Sequence, residues 1–180
     1  VDAYSNMGIV LQIQGKLDEA IVFFEKVLKL KPDHADAYNN IGIVLHVQGK
    51  FDEATTSFKK ALRLNPDYAD AQSNMGKAFI EQNKLKKAIE AFYIALSLNP
   101  NLSAIRSSKL HQQANICDWK AVEEDRSLLP ELGVSGGAIS PFSVLAFEDA
   151  PERHRLRSEK YAREHFPVKS TKQFERPSRM

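Results

Sequence analysis

The sequence has a single cysteine, Cys117, and no apolar run of the length that a transmembrane helix needs. One cysteine cannot form an intrachain disulfide, and the composition therefore favours a reducing location, either the cytoplasm or, in a eukaryote, alternatively the nucleus. A membrane-spanning helix requires about 20 consecutive apolar residues, which no stretch approaches. None of the five histidines has zinc-ligand spacing with a cysteine or a carboxylate, so we expect neither a metal site nor a membrane partner.

The usual signatures of an active site are also missing. The sequence contains no strand–glycine-loop–helix unit that would bind a nucleotide, and no nucleophile–base pair can be assembled from it. Cys117 has no histidine close to it in sequence, so we expect a small packed side chain there and not a nucleophile. These absences predict a chain that has no catalytic residue and no cofactor of its own.

Charge is distributed unevenly along the chain, although the formal net charge is only +2. Residues 151–180 carry nine Lys or Arg and four Glu, whereas residues 1–150 have an excess of acidic side chains. A basic tail can bind nucleic acid or a membrane surface. This tail contains Pro167 and Pro177, few aromatic residues and no nucleic-acid motif. We therefore interpret it as a solvated linker with no nucleic-acid partner.

The most informative feature that is present is a 34-residue repeat in the first hundred residues. Four columns recur in register: Tyr4, Tyr38 and Gln72; Gly8, Gly42 and Gly76; Phe24, Phe58 and Phe92; and Pro32, Pro66 and Pro100. Apolar residues return every three or four positions over two segments of each copy, about 2–14 and 18–30 in the first. This pattern is typical of paired amphipathic helices, and the proline ends the second one because it cannot continue a helix.

Small and turn-forming residues predict how the helices of a pair meet. Gly8 and Ala20 stand where the two helices would cross, and Phe24 would fill the space beside them. The residues between paired helices favour a left-handed cap, and they are Gly15, Gly49 and Asn83. Helix N-caps are expected directly after the prolines, at Asp33, Asp67 and Asn101.

After Pro100 the repeat decays without disappearing. Trp119 still falls in an apolar column of the earlier copies, and we predict a degenerate fourth copy over residues 101–131. Its helices are expected at about 102–115 and from Asp118 to Leu129, with Trp119 packed as part of a cap on the stack. Residues 132–180 are interpreted as a glycine- and proline-rich loop, a short apolar helix, a charged helix at about 151–165 and a basic linker.

These columns resemble the tetratricopeptide repeat, whose pattern is W-x2-L-G-x2-Y…A-x3-F…P at a period of 34. The resemblance divides residues 1–100 into three repeats, 1–34, 35–68 and 69–100, and implies an all-α fold. In this family stacked helix pairs form a right-handed superhelix, an α-solenoid, whose concave groove is lined by the first helix of each pair. The function it implies is a protein–protein interaction scaffold that binds an extended peptide in the groove.

The C-terminal half is similar to the segment that follows the repeats in O-linked N-acetylglucosamine transferases. The matching residues are Cys117, Asp118, Trp119, Ser140, Pro141, Phe142, Leu145, Ala146, Asp149, Pro151, Tyr161 and Ala162. In that family a C-D-W motif caps the superhelix, and a catalytic domain that uses UDP-GlcNAc follows, which here would lie beyond Met180. The resemblance implies that this chain is the substrate-recruiting arm of a glycosyltransferase and does not catalyse by itself.

Two polar columns on the first helix of each copy are the candidate peptide-binding residues. They are Asn6, Asn40 and Asn74 and, one turn earlier, Asp2, Asp36 and Asp70. Asparagine is a poor helix former, but its carboxamide both donates and accepts hydrogen bonds, as binding the backbone of an extended, Ser/Thr-rich peptide requires. In the transferase family, residues in these columns contact protein substrates. Alternatively, each asparagine bonds a neighbouring helix and only orders the stack, while the aspartates complement the helix dipole.

The same columns bear on two rival functions. Co-chaperones with this repeat bind a C-terminal carboxylate through Lys and Arg. Here the residues at those places have the wrong charge for an acidic tail, and they are Ser5, Ile9, Asp70 and Asn74.

The other rival is a structural adaptor. The chain begins in register with no preceding cap, so its apolar edge is expected to continue into further repeats or to meet another chain in a homo-oligomer.

Overall fold

The computed structural model describes residues 1–130, 132–134 and 150–166. The regular elements in these ranges are helical, which confirms the predicted all-α fold, and they are α1 (Asp2–Ile13), α2 (Leu17–Leu30), α3 (Ala35–Val47), α4 (Phe51–Leu64), α5 (Ala69–Glu81), α6 (Leu85–Leu98), α7 (Ser103–Asn115), α8 (Trp119–Asp125), a 3₁₀ turn (Arg126–Leu128) and α9 (Pro151–His165). Among these helices, none combines the length and the apolarity that a membrane span requires. The predicted apolar helix after Pro141 and the basic linker after Phe166 lie outside the described residues.

The helices pack as successive pairs. α1 contacts α2, α3 contacts α4 and α5 contacts α6, and the second helix of each pair also contacts the first helix of the next. The first helices form a row of their own, because α3 contacts both α1 and α5. Contacts restricted to sequence neighbours are typical of a solenoid, in which each unit is stabilised by the units beside it.

The predicted glycine–phenylalanine contact is present in each of the three pairs. A Cβ atom placed on Gly8 would lie 2.6 Å from a ring carbon of Phe24, and one placed on Gly42 would lie 2.5 Å from Phe58. Gly76 meets Phe92 in the same way. The three phenylalanine rings are fully buried. Glycine is therefore needed at the crossing because the ring occupies the space that a side chain would take.

The turns between paired helices have the predicted left-handed residue. The φ angles are +76° at Gly15, +77° at Gly49 and +56° at Asn83. Cys117, in the same column of the fourth pair, has a φ of +57° and is exposed. The prediction of a packed cysteine is therefore wrong, because this position is an exposed turn and not part of the core.

The predicted helix N-caps are displaced by one residue. The expected caps were Asp33, Asp67 and Asn101, but the residues that precede α3, α5 and α7 are His34, Tyr68 and Leu102. The His34 ring accepts a hydrogen bond from the Ala37 N–H at 3.2 Å. Asp67 contributes its backbone, because its carbonyl accepts from the Ala69 N–H at 3.0 Å and closes the turn before α5.

The fourth helix pair is formed by α7 and α8, close to the predicted bounds. Leu110 of α7 is fully buried against Leu129 and Leu132. Trp119, expected to pack in the cap, is 61% exposed. Its counterpart Leu17 is half-buried because it packs in a cluster that includes Val44 of the next pair. No further repeat helix covers α8 in the part of the chain that the structure describes, so Trp119 remains in solvent.

α9 is attached to the end of the fourth pair by a buried arginine. Arg157 has no exposed surface. Its Nε donates to the Leu132 carbonyl at 2.7 Å, and its Nη2 donates to the Leu129 carbonyl at 2.6 Å. Lys160 Nζ adds a bond to the Val134 carbonyl at 3.2 Å. These bonds connect α9 to backbone carbonyls where the fourth pair ends.

Candidate functional site

The predicted polar columns lie on the row of first helices. Asp2, Asp36 and Asp70 occupy the first turns of α1, α3 and α5 and are exposed. The asparagines Asn6, Asn40 and Asn74 follow four residues later, and residues four apart on a helix share a face. Because α3 contacts both α1 and α5, the six side chains belong to one surface, which we call the first-helix face.

The three asparagines differ in their surroundings. Asn6 is exposed, whereas Asn40 and Asn74 are half-buried. Asn74 Nδ2 donates to Asn39 Oδ1 at 3.2 Å, which connects α5 to α3, and Asn74 Oδ1 accepts from Lys77 Nζ at 3.4 Å. Asn74 thus orders the stack, as the alternative interpretation of the column predicts. The amides of Asn6 and Asn40 form no hydrogen bond within the described residues.

Asn39 and Tyr68 belong to the site and were not predicted from the sequence. Asn39 is buried, and its Nδ2 lies 3.5 Å from the Tyr68 hydroxyl oxygen. Burial is the main cause that raises the pKa of Tyr68 above its ordinary value. A hydrogen bond to Asp36 and the negative charges of Asp36 and Asp70 raise this pKa further. The hydroxyl therefore loses its proton only at a higher pH than an ordinary tyrosine does, and it lies 3.5 Å from the Asn39 amide nitrogen.

Together these side chains form a polar cluster between the second and third repeats, and we call it the central cluster: Asp36, Asn39, Tyr68, Asp70 and Asn74. Neither Asn39 nor Tyr68 recurs at the period of 34, since Ser5 and Ser73 stand in the column of Asn39, and His34 and Leu102 in that of Tyr68. The comparison of repeats finds residues that recur, so it missed both of these. The only signal of Tyr68 in the sequence was an aromatic residue directly before α5.

The first-helix face is suited to recognising a polar, extended chain. Its carboxamides offer donors and acceptors, and its carboxylates accept hydrogen bonds and attract positive charge. Lys77 is the basic residue that contacts this set, through Asn74. Among the described residues, no group of three or more His, Cys, Asp or Glu side chains is placed to hold a metal ion.

Comparisons with known proteins agree with this architecture. A family model described as tetratricopeptide repeat matches residues 1–67 and again residues 33–100. No curated protein matches the chain. The similarity of residues 117–162 to O-linked N-acetylglucosamine transferases therefore has no support from these matches.

Solved structures similar to the chain include MamA from Desulfovibrio magneticus RS-1, residues 41 to the end, and an RS-1 MamA double mutant. Each is 28% identical with a TM-score of 0.65, and the match covers 73% of this chain and 74% of that one. The first TPR of Spaghetti (RPAP3), bound to the HSP90 peptide SRMEEVD, is 25% identical with a TM-score of 0.62. That match covers 63% of this chain and 90% of the Spaghetti domain. Since the two family-model matches together span residues 1–100, the chain belongs to the tetratricopeptide repeat family.

Proposed function

We propose that the chain is a protein-interaction scaffold that binds an extended peptide along the first-helix face. The observation that carries this proposal is the pair of amides on Asn6 and Asn40, which face the same surface and have no hydrogen-bond partner within the described residues. A peptide backbone lying across α1 and α3 supplies both the donors and the acceptors that these amides lack. The similar Spaghetti domain, which is bound to a peptide, supports this mode of binding.

The charge of the face indicates which peptides it accepts. The peptide bound to the Spaghetti domain, SRMEEVD, ends in acidic residues. Here Asp36 and Asp70 lie near the Tyr68 hydroxyl, and a carboxylate brought to the central cluster would be repelled. Ser and Thr hydroxyls can donate to these carboxylates. We therefore propose a neutral or basic, Ser/Thr-rich segment as the ligand.

Fluorescence anisotropy with a labelled Ser/Thr-rich peptide tests the proposal. Changing Asn6 and Asn40 to Ala removes two amides that the stack does not use. We expect about thirtyfold weaker binding, because at least two net hydrogen bonds of about 1 kcal/mol each are lost. Changing Glu19 and Glu53 to Ala, a pair of exposed residues in register on the second helices, is the matched control and should leave binding unaltered. Unchanged affinity in the folded asparagine double variant would contradict the proposal.

We further propose that this scaffold recruits substrates for an O-GlcNAc-transferase-like enzyme whose catalytic domain, with its UDP-GlcNAc, is not in this chain. The support is the resemblance of residues 117–162, in which Asp118 caps α8 by accepting a hydrogen bond from the Ala121 N–H at 3.2 Å. Extending the reading frame beyond Met180 should reveal a nucleotide-sugar domain with UDP-GlcNAc-dependent transfer to bound peptides. A frame that encodes no such domain would refute this part and leave peptide binding untouched.

Exposed apolar residues on α1 favour a second candidate function, assembly with another copy of the chain. Val10 is 46% exposed and Ile13 is 81% exposed, whereas Val44 and Ala78, in the column of Val10, are fully buried under the preceding pair. A helix of a second copy could cover α1 in the same way. Light scattering of the wild type at high concentration should show a dimer that Val10→Glu abolishes, and a strict monomer would contradict it.

A further inference from the structure

Three clefts open between successive second helices, on surfaces separate from the first-helix face. They lie between α2 and α4, between α4 and α6, and between α6 and α8, with volumes of about 500, 290 and 530 Å³. In each cleft, residues of the intervening first helix form part of the lining. The three clefts are therefore the same feature at three levels of the stack, and differences in their lining can be compared column by column.

The third cleft, between α6 and α8, has charged or amide side chains at three positions where the first two clefts have mainly apolar ones. The corresponding residues are Ile41, Leu45 and Ser57 in the first cleft, Met75, Phe79 and Ala91 in the second, and Lys109, Gln113 and Asp125 in the third. Lys109 is only 9% exposed and Gln113 only 3%. Buried charged and amide side chains are costly unless they are paired, so their presence here requires an explanation.

The lysine and the aspartate neutralise each other, but the glutamine is left without a partner. Lys109 Nζ lies 2.6 Å from Asp125 Oδ2, and both side chains are largely buried. Gln113 Oε1 is buried and accepts no hydrogen bond within the described residues. The half-buried Gln72, beside the second cleft, is the other cleft residue with such an atom. His46, Gln48 and Gln82 have such atoms too. A buried polar atom without a partner needs an explanation, and in a cleft a ligand can supply the partner.

The remaining lining of the third cleft has a negative balance and an exposed aromatic ring. Glu90, Asp118 and Glu124 are acidic, and Lys86 is basic. The Tyr93 side chain is 65% exposed at the cleft, with Lys109 Nζ 5.7 Å from its ring centroid. The apolar part of the lining comes from Ile89, Ile116 and Ala121. A ligand that matches these features has an apolar stem and a flat, positively charged head with several donors.

We propose that the third cleft binds an arginine side chain presented by a partner protein. The methylene groups of the arginine pack against Ile89 and Ile116, and its guanidinium stacks on Tyr93 and pairs with Glu124. The Gln113 side chain turns towards the guanidinium, so that its Oε1, buried in the free chain, accepts one N–H. Arginine fits better than lysine because its planar head stacks on aromatic rings and presents five donors in a fixed geometry. This site is independent of peptide binding on the first-helix face.

The test is a titration of the ¹⁵N-labelled chain with the blocked tripeptide acetyl-Gly-Arg-Gly-amide, followed by NMR. Amide shifts should concentrate on α6, α7 and α8. The citrulline tripeptide, which has the same shape without the charge, should bind at least about tenfold more weakly, and the lysine tripeptide should also be weaker. Equal affinity for all three peptides would overturn the proposal.

Variants locate the site. Gln113→Leu restores the residue of Leu45 in the first cleft, and we expect it to keep or raise the melting temperature while weakening arginine binding about tenfold. Glu124→Lys should weaken binding similarly, whereas Glu53→Lys, the same charge change in the first cleft, should not. Unaltered binding in both third-cleft variants overturns the proposal. Shifts on α3 and α5 that Asp36→Asn abolishes would likewise overturn it, since they would assign the arginine to the first-helix face.

Discussion

The three regular helix pairs and the fourth pair share a backbone but not a core. In the regular pairs a glycine on the first helix lies against a fully buried phenylalanine on the second. In the fourth pair the large buried side chain comes from the first helix instead: Leu110 is fully buried in the glycine column, and Arg126, in the phenylalanine column, is exposed. The left-handed turn is nevertheless retained at Cys117. A terminal unit has a neighbour on one side only, so its backbone can repeat while its side chains change.

The second difference concerns polar groups. The regular pairs bury apolar side chains along their clefts, whereas the fourth pair buries the Lys109–Asp125 ion pair in the same columns. The first-helix face shows the opposite trend, because its central cluster lies between the second and third repeats, and Leu102 replaces Tyr68 at the next level. Peptide binding and arginine binding are thus assigned to different surfaces and to different parts of the stack.

The largest expected effect is a difference in stability loss, at the phenylalanine column, between the regular pairs and the fourth pair. Phe58→Ala removes a fully buried ring from between two pairs, and we expect a loss of about 3–5 kcal/mol in the free energy of unfolding. Arg126→Ala, in the same column two repeats later, should cost no more than about 0.5 kcal/mol because that side chain is exposed. Urea unfolding measures both free-energy losses. Similar losses would show that the side chain in this column is as well buried in the fourth pair as in the regular pairs.

The buried ion pair gives the next effect. Asp125→Ala leaves the Lys109 ammonium buried without its partner, and we expect a loss of about 3 kcal/mol. The double variant Lys109→Met, Asp125→Ala recreates the residues of the third repeat, Met75 and Ala91, and should recover most of that loss. If the double variant is as unstable in urea as the single one, the side chains of the third repeat do not pack stably in the fourth pair.

A smaller effect concerns the central cluster at high pH. The pKa of Tyr68 is raised in the folded state, mainly by burial, so the unfolded chain releases this proton at lower pH than the folded chain does. Its contribution to stability is complete below about pH 10 and is lost as pH rises above that value. Tyr68→Phe should therefore flatten the fall in melting temperature above about pH 10. Parallel curves for variant and wild type would place the hydroxyl outside the cluster.

Sequence periodicity predicted those features of the fold that arise where the same residue type recurs in each repeat. The glycine–phenylalanine contacts, the turn residues and the helix pairs were found where the period of 34 placed them. It could not predict what depends on a neighbour in space. Asn74 bonds Asn39 while Asn6 and Asn40 do not bond the stack, although the three share a column. Trp119 is exposed because no later helix covers it within the described part of the chain, and a column cannot show that absence.

The smallest effect tests whether the turn of the fourth pair is strained. Cys117 has a φ of +57°, which is costly for a residue with a Cβ, and Gly49 adopts +77° in the corresponding turn of the second repeat. Cys117→Gly should raise the free energy of unfolding by about 0.5–1 kcal/mol. Gly49→Ala should lower it by about 1 kcal/mol, since no atom within 4 Å obstructs a Cβ there and only the backbone conformation opposes it. Cys117→Ala is the control, because alanine keeps a Cβ and therefore the strain of the left-handed turn. If both variants raise the free energy of unfolding equally, loss of the thiol, and not relief of the turn, stabilises the fourth pair.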